Sequence, residues 1–550
     1  MAQLATLLLA LTTVALSPVY AAPAIVERAA PTVTLDGATF TGTTTVNVQK
    51  FLGIPFAKPP VGDLRFRLPV PITYTNGTYS ATAYGPSCPQ QAVTLPLLTG
   101  AAAAAVDVLT ETIFEVVFPD AEDCLTVNVV KPASIASGKK LPVVVWIFGG
   151  AFELGGTSMY DGGIIVEKSI AMGQPVVYVS MNYRLSLFGF LASQEVKDAG
   201  VGNLGLQDQR QALRWVQKYI SNFGGDPNHV TIWGESAGAI SVSLQMLANG
   251  GNTEGLFHAG FMQSGSPIPV GDITHGQQSY DAAVKQVGCS GAADTLACLR
   301  TVPYSALHAA MDNSPSIFAY QSLALTWLPR TDGVFLKDTP QNLVAQGSVA
   351  NIPIVTGDCD DEGTLFSLAN LNVTTEAQLH KYMKDIYVPT GTDAEIDNLL
   401  AAYPADITQG SPFNTGIFNA VTPQFKRLAA MQGDVVFQAP RRYFINKLAG
   451  KQNIWVYLHT RLKATPVLGS FHGSDILTIY ADSDMTAYLL RFANSFSPNG
   501  GGALNWPNWD PSGRKLLTFQ GGLFPLALGT DTYRDSAINS MINLTLAHPI

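Results

Sequence analysis

His229-Val230-Thr231-Ile232-Trp233-Gly234-Glu235-Ser236-Ala237-Gly238 is the stretch that decides the fold. Val230 to Trp233 is a β-branched and aromatic run of strand length. Ala237 to Ala248 then reads as a helix. A serine set between the two, in a G-x-S-x-G spacing, reads as a nucleophile elbow. The turn is too tight for side chains at Gly234 and Gly238, and it lifts the Ser236 hydroxyl toward a pocket. The helix beginning at Ala237 aims free N–H groups and a positive dipole end at charge developing beside the serine.

Similar apolar runs recur on both sides. Leu141 to Phe148 leads into Gly149-Gly150, and Pro175 to Ser180 leads toward Asn182. Ile352 to Val355 leads into Gly357-Asp358, and Asn453 to Leu458 into His459. Continuous apolar strands suit a sheet buried on both faces. Between them lie helical stretches such as Gln207 to Phe223, with Leu213, Val216 and Ile220 at helical spacing. Strand–helix alternation predicts an α/β fold with a large, mostly parallel central sheet flanked by helices. Length alone suggests three or four domains at roughly 150 residues each. With no internal repeat and no linker, residues 22–550 read instead as one domain; Ala101 to Ala105 is the one low-complexity patch.

A serine hydroxyl needs a base. In an elbow of this kind the chain order is nucleophile, acid, base, which leaves His459, His472 and His548 of the eight histidines. His472 lies in Gly469-Ser470-Phe471-His472-Gly473-Ser474-Asp475, a loop of small residues from which an imidazole can reach a pocket, and it is favoured on that ground. His459 reads as a strand-end histidine and His548 as part of the tail. The acid lies among Asp358, Asp360, Asp361 and Glu362, which spacing does not separate. Phe148-Gly149-Gly150-Ala151-Phe152 follows a strand, and its small residues let backbone N–H groups approach a substrate. Cys/His clusters at zinc spacing are missing, so no metal and no cofactor is implied.

Composition narrows the partners. The 550 residues are 47% hydrophobic and only 13% charged, which excludes disorder for most of the chain. The net charge of −9, with no basic block, argues against a nucleic-acid surface. Leu4 to Leu16 is an apolar run too short to span a bilayer, and Val19-Tyr20-Ala21 has the small residues of a cleavage site. Residues 1–21 therefore read as a signal peptide. No later stretch is apolar and long enough to anchor the chain, so the product is expected to be secreted and extracellular. Asn76, Asn372 and Asn543 begin Asn-x-Thr acceptors for glycosylation. Five cysteines in an oxidising compartment allow two disulfides and leave one thiol over.

From about Val33 to near the C-terminus the chain resembles the type-B carboxylesterase/lipase family, which also holds the cholinesterases. Within it the chain is most similar to secreted fungal lipases and sterol esterases of the Candida rugosa lipase type. The residues carrying the resemblance are Phe51 to Ala57 with Pro59-Pro60, Glu122-Asp123-Cys124-Leu125, Gly234 to Gly238, Asp361-Glu362-Gly363-Thr364 and Pro466 to His472. The resemblance implies the α/β-hydrolase fold and a triad of Ser236, Glu362 and His472. It implies oxyanion donors at the N–H groups of Gly150, Ala151 and Ala237. It also implies disulfides Cys88–Cys124 and Cys289–Cys298, with Cys359 a buried free thiol, and a structural ion pair between Arg65 and Glu122. One departure is visible: the family usually carries a third glycine where Ala151 stands.

The family's disulfide loop, about 88–124 here, forms a flap over the active site. Here it is strongly apolar, with Leu95, Leu97, Leu98, Ile113, Phe114 and Phe118 among its residues. Exposing apolar surface costs about 25 cal/mol per Å². The loop is therefore expected to close over the pocket in water and open at lipid, or to pair with a second copy as a homodimer; the alternative is plain core helix. No Trp lies between Cys88 and Cys124 to hold a quaternary ammonium. The expected substrates are lipophilic: acylglycerols, sterol esters or other long-chain fatty acid esters, cleaved through an acyl-enzyme. A broad short-chain carboxylesterase is the alternative, and a non-catalytic adhesion protein on the same fold a remote one.

Overall fold

The computed structural model describes residues 29–93 and 119–550. The expected signal peptide, 1–21, and most of the expected flap, 94–118, lie outside the described residues.

An 11-stranded sheet runs through the centre. Its order is Leu526–Thr530, Lys515–Phe519, Ile454–His459, Ile354–Cys359, Ala259–Gln263, Gly225–Glu235, Leu141–Ile147, Val177–Met181, Thr126–Pro132, Val48–Pro55 and Thr43–Thr44. The seven strands from Lys515–Phe519 to Val177–Met181 are mutually parallel, and antiparallel strands complete both flanks. Ala259–Gln263, Ile354–Cys359 and Val177–Met181 are buried at every position, which accounts for the apolar runs at Ile352 to Val355 and Pro175 to Ser180; Ala259–Gln263 is a strand the sequence reading did not pick out. A separate small sheet is formed by Thr32–Leu35, Ala38–Thr41 and Gly77–Ser80.

Two boundaries differ from the sequence reading. The helix expected from Gln207 begins at Leu204 and its last turn, Ile220–Phe223, is 3₁₀. Asn203 enters it in the left-handed conformation, with no side-chain cap to mark the start. The strand before the elbow starts at Gly225, so Asp226 to His229 extend it beyond its apolar part.

Cys88 is bonded to Cys124 and Cys289 to Cys298, while Cys359 is a buried free thiol. Arg65 forms a bidentate pair with Glu122, at 2.5 and 2.7 Å. Asn76, Asn372 and Asn543 are exposed. Among the described residues no helix is long and apolar enough to cross a membrane.

Candidate active site

Ser236 sits between Gly225–Glu235 and the helix Ala237–Gly251, with φ 56° and ψ −127°. The helix departs from helical geometry at Ala248, where the sequence reading ended it. The glycines make the turn possible. A Cβ on Gly238 would lie 2.0 Å from the Ile147 carbonyl oxygen, and one on Gly234 would lie 2.4 Å from the Gly238 backbone. Neither neighbour is a flexible side chain that could yield. The serine is thus wedged against the end of the strand that feeds Gly149-Gly150-Ala151.

The base and the acid arrive from the ends of neighbouring strands. His472 Nε2 lies 2.7 Å from Ser236 Oγ, and His472 Nδ1 lies 2.5 Å from Glu362 Oε2. The other Glu362 oxygen accepts hydrogen bonds from Ser264 Oγ at 2.6 Å and from the Cys359 N–H at 2.5 Å. The imidazole packs between the Phe437 and Phe366 rings, with centroids 4.5 and 5.1 Å away. Burial lowers the His472 pKa to about 4, against the Asp475 and Asp358 carboxylates. It is therefore neutral, and able to accept a proton, well below neutral pH. Burial pushes the Glu362 carboxyl up, and the Ser264 and Cys359 donors oppose this by favouring its charged form.

The competing candidates are occupied elsewhere. Asp358 pairs with Arg441 at 2.7 Å, and Asp360 and Asp361 both pair with Lys463. Asp361 also accepts the Ser470 and Phe413 N–H groups. His459 contacts Thr478 and Ser470 behind the site, and His548 contacts Thr390 and Glu395. Of the four carboxylates and three late histidines, the structure brings Glu362 and His472 to Ser236.

Gly149 lies against the serine: a Cβ there would come 2.8 Å from Ser236 Cβ. Gly150, Ala151 and Phe152 have φ of 112°, 60° and 59°. For Ala151 a left-handed backbone costs roughly 1–2 kcal/mol, which explains why glycine is expected there. Among the described residues, the N–H groups of Gly150, Ala151 and Ala237 donate to no acceptor within the chain. The turn is held from behind: the Phe152 carbonyl accepts from the Ser186 N–H, and the Glu153 carbonyl from the Gln91 N–H.

Three buried residues of the site carry no signal in the sequence reading. Ser264 steadies the acid. Glu235, the variable residue of the elbow, places Oε1 3.4 Å from His472 Nε2, and burial, then Asp475 and Glu362, push its pKa far up. Glu153 accepts the Ile317 N–H at 2.8 Å and leaves its second oxygen unpartnered. Burial raises its pKa to about 8.

Ser236 opens onto a cleft of about 670 Å³, whose walls include Leu154, Met159, Tyr160, Ile317, Leu365 and Phe366. Behind Ala151 and Ala237 a narrow second pocket is lined by Ile240, Ile268, Leu323, Leu325, Leu328 and Val436. Among the described residues no cluster of His, Cys, Asp and Glu is arranged to hold a metal ion.

This geometry can be set beside known proteins. Lipase 4 of Diutina rugosa is 46% identical over 93% of this chain and 96% of its own length. Secreted lipase 1 of Botryotinia fuckeliana is 46% identical over 90% of each chain. The crystal structure of Aspergillus niger EstA superposes with a TM-score of 0.79 at 28% identity, covering 95% of this chain and 99% of that one. The sequence profile described as the carboxylesterase family matches residues 28–523. A match of that extent, over a sheet and an elbow of this form, shows that the chain belongs to the carboxylesterase family.

Proposed function

We propose that this chain is a secreted serine carboxylic-ester hydrolase acting on lipophilic esters. One observation carries the reading: a serine hydroxyl 2.7 Å from a neutral imidazole, backed by a carboxyl at 2.5 Å, at the floor of an apolar cleft. His472, oriented by Glu362, takes the Ser236 proton as Oγ attacks the ester carbonyl. The oxyanion is received by the N–H groups of Gly150, Ala151 and Ala237; one such donor typically contributes about 2.7–4 kcal/mol. His472 then protonates the leaving alcohol, and water cleaves the acyl-enzyme by the same route. The apolar pocket behind the elbow suits the acyl chain.

Residues 1–21 act as the signal peptide of a domain spanning 22–550, and Asn76, Asn372 and Asn543 as glycan acceptors. The names of relatives such as Secreted lipase 1 of Botryotinia fuckeliana and the secreted triacylglycerol lipase of Gibberella zeae support export and acylglycerol substrates. The test is hydrolysis of p-nitrophenyl butyrate and palmitate, with and without an emulsified interface, by the parent and by Ser236→Ala. Palmitate turnover that rises at the interface and vanishes in the variant is expected. Undiminished turnover in the variant refutes the site, and butyrate preference without interfacial gain returns the short-chain esterase reading.

A further inference from the structure

The four most exposed Leu, Ile and Phe side chains among the described residues are Leu523, Phe524, Phe418 and Ile417, at 94%, 77%, 74% and 65%. They gather on one rim of the fold. Leu523 and Phe524 form the tip of the hairpin between Lys515–Phe519 and Leu526–Thr530, beside Gly521-Gly522, and no charged residue occurs from Gln520 to Thr530. The first of these strands runs parallel, through its neighbours, to the strand ending at Ser236. Its C-terminal end, and so the hairpin tip, lies on the same edge of the sheet as the serine.

Ile417 and Phe418 sit in a loop that belongs to this edge as well. Ser411 Oγ and the Phe413 N–H donate to Asp361, next to the acid, and Asn419 Oδ1 accepts the Val467 N–H. The 461–467 segment in turn reaches the hairpin, since Arg461 donates to the Gln520 and Pro525 carbonyls. Leu462, also exposed, lies between the two. The charges along this rim are paired internally, Arg461 with Asp484 and Lys463 with Asp360 and Asp361. The most exposed side chains along it are apolar, with Asn414 the exposed polar side chain of the 414–419 loop.

Exposed apolar surface of this kind marks an interaction site. The placement favours a lipid surface over a second copy: the side chains stand on three separate segments, a hairpin tip, the 414–419 loop and Leu462, on the edge of the sheet that carries the serine. Scaled by their exposures, at about 150–250 Å² for a whole aromatic side chain, the five offer roughly 500–900 Å² of apolar area. A fluid surface needs no complementary shape.

We infer that the Leu523-Phe524 hairpin tip, with Ile417, Phe418 and Leu462, is an anchor that seats the chain on a lipid–water surface, in addition to whatever the segment between Cys88 and Cys124 contributes. The inference rests on the lipophilic-ester reading and names where that surface is gripped. The test uses the full chain carrying Ser236→Ala, so that binding is read without turnover. Its partition onto phosphatidylcholine vesicles and onto a triolein emulsion is measured by sedimentation. Two double variants are compared, Leu523→Ser/Phe524→Ser and Ile417→Ser/Phe418→Ser; the second keeps the test open if the first misfolds. In the active background each is assayed on monomeric p-nitrophenyl butyrate. The expected result is at least a tenfold loss of partition in either variant, with butyrate turnover within twofold of the parent. Unchanged partition, or a parent that binds neither surface, overturns the anchor. A parent dimer in light scattering that the substitutions dissociate assigns the rim to a second copy instead. A parent that binds lipid but hydrolyses no ester refutes the functional reading and leaves the anchor standing.

Discussion

Replacing Ser264 with alanine tests the geometry of the acid. The Ser264 hydroxyl donates to Glu362 Oε1 at 2.6 Å, and both side chains are buried. A hydrogen bond to a charged group contributes about 1.5–3 kcal/mol, and leaving a buried acceptor short costs a similar amount. The Cys359 N–H stays at 2.5 Å, so the carboxyl keeps one of its two supports on that oxygen. Glu362 matters most when His472 carries a proton, since a firmly held carboxylate stabilises the imidazolium. The loss therefore falls on the transition state, and 1.5–3 kcal/mol converts to roughly 10- to 150-fold in rate. Ser264 lines neither pocket, so substrate binding is left alone. We expect kcat for a soluble short-chain p-nitrophenyl ester to fall roughly 10- to 150-fold with KM within about twofold, and the acylation burst to slow in step. The thermal midpoint provides the folding control. A variant with parental kcat, or one whose loss sits wholly in KM, refutes the assignment of Glu362 as the group that orients the base.

Three more outcomes follow from the titratable groups. Burial lowers the His472 pKa to about 4, and the base works only when neutral. The acid limb of kcat/KM is thus expected below the usual imidazole value of about 6.5; a limb at or above that value contradicts the burial argument. Burial raises the Glu153 pKa to about 8, so it stays protonated in the fold while the unfolded chain ionises near the ordinary glutamate value of about 4.5. Stability should fall as pH rises from about 4.5 to 8 and level off above. Glu153→Gln should flatten that slope, by an amount on the order of 5 kcal/mol between the two ends. Equal pH dependence of urea midpoints in parent and variant would exclude it. Cys359 is buried and its thiol is pushed well above the ordinary range, so DTNB should titrate no thiol in the native chain and one after unfolding. Fast reaction of the native protein would place Cys359 in contact with solvent.

Much of this was legible in the sequence because sterics leaves few choices. Gly234 and Gly238 are demanded by backbone contacts of 2.0 to 2.4 Å, and any elbow of this form needs them. The buried parallel strands were legible where both faces are covered by apolar residues, as in Val143 to Ile147 and Val176 to Val179, and less so where buried polar residues such as Gln263, Thr356 and Asp358 interrupt them. Less of the sheet's margins was legible. Val48–Pro55, Thr126–Pro132 and the hairpin from Lys515 carry polar positions and are defined by pairing with distant partners. The acid was not separable from residue types alone, since Asp358, Asp360, Asp361 and Glu362 are alike in chemistry and adjacent in chain. What distinguishes them is who meets them: Arg441 and Lys463 claim three, and an imidazole 110 residues on meets the fourth. Family resemblance, not spacing, pointed to Glu362 in advance. Ser264 had no such pointer, because a serine in Gln263-Ser264-Gly265-Ser266 looks like any turn.

The sheet order also dictates when the protein becomes chemically dangerous to its surroundings. The serine lies at the end of Gly225–Glu235, the carboxyl beyond Ile354–Cys359 and the imidazole beyond Ile454–His459, so the three meet only when those strands are laid side by side. A nascent chain emerging N-terminus first displays the serine more than two hundred residues before its base exists. Until the stretch carrying His472 has been made and docked, the polypeptide cannot cleave an ester with this triad. Its reactivity switches on late, as a by-product of completing the architecture.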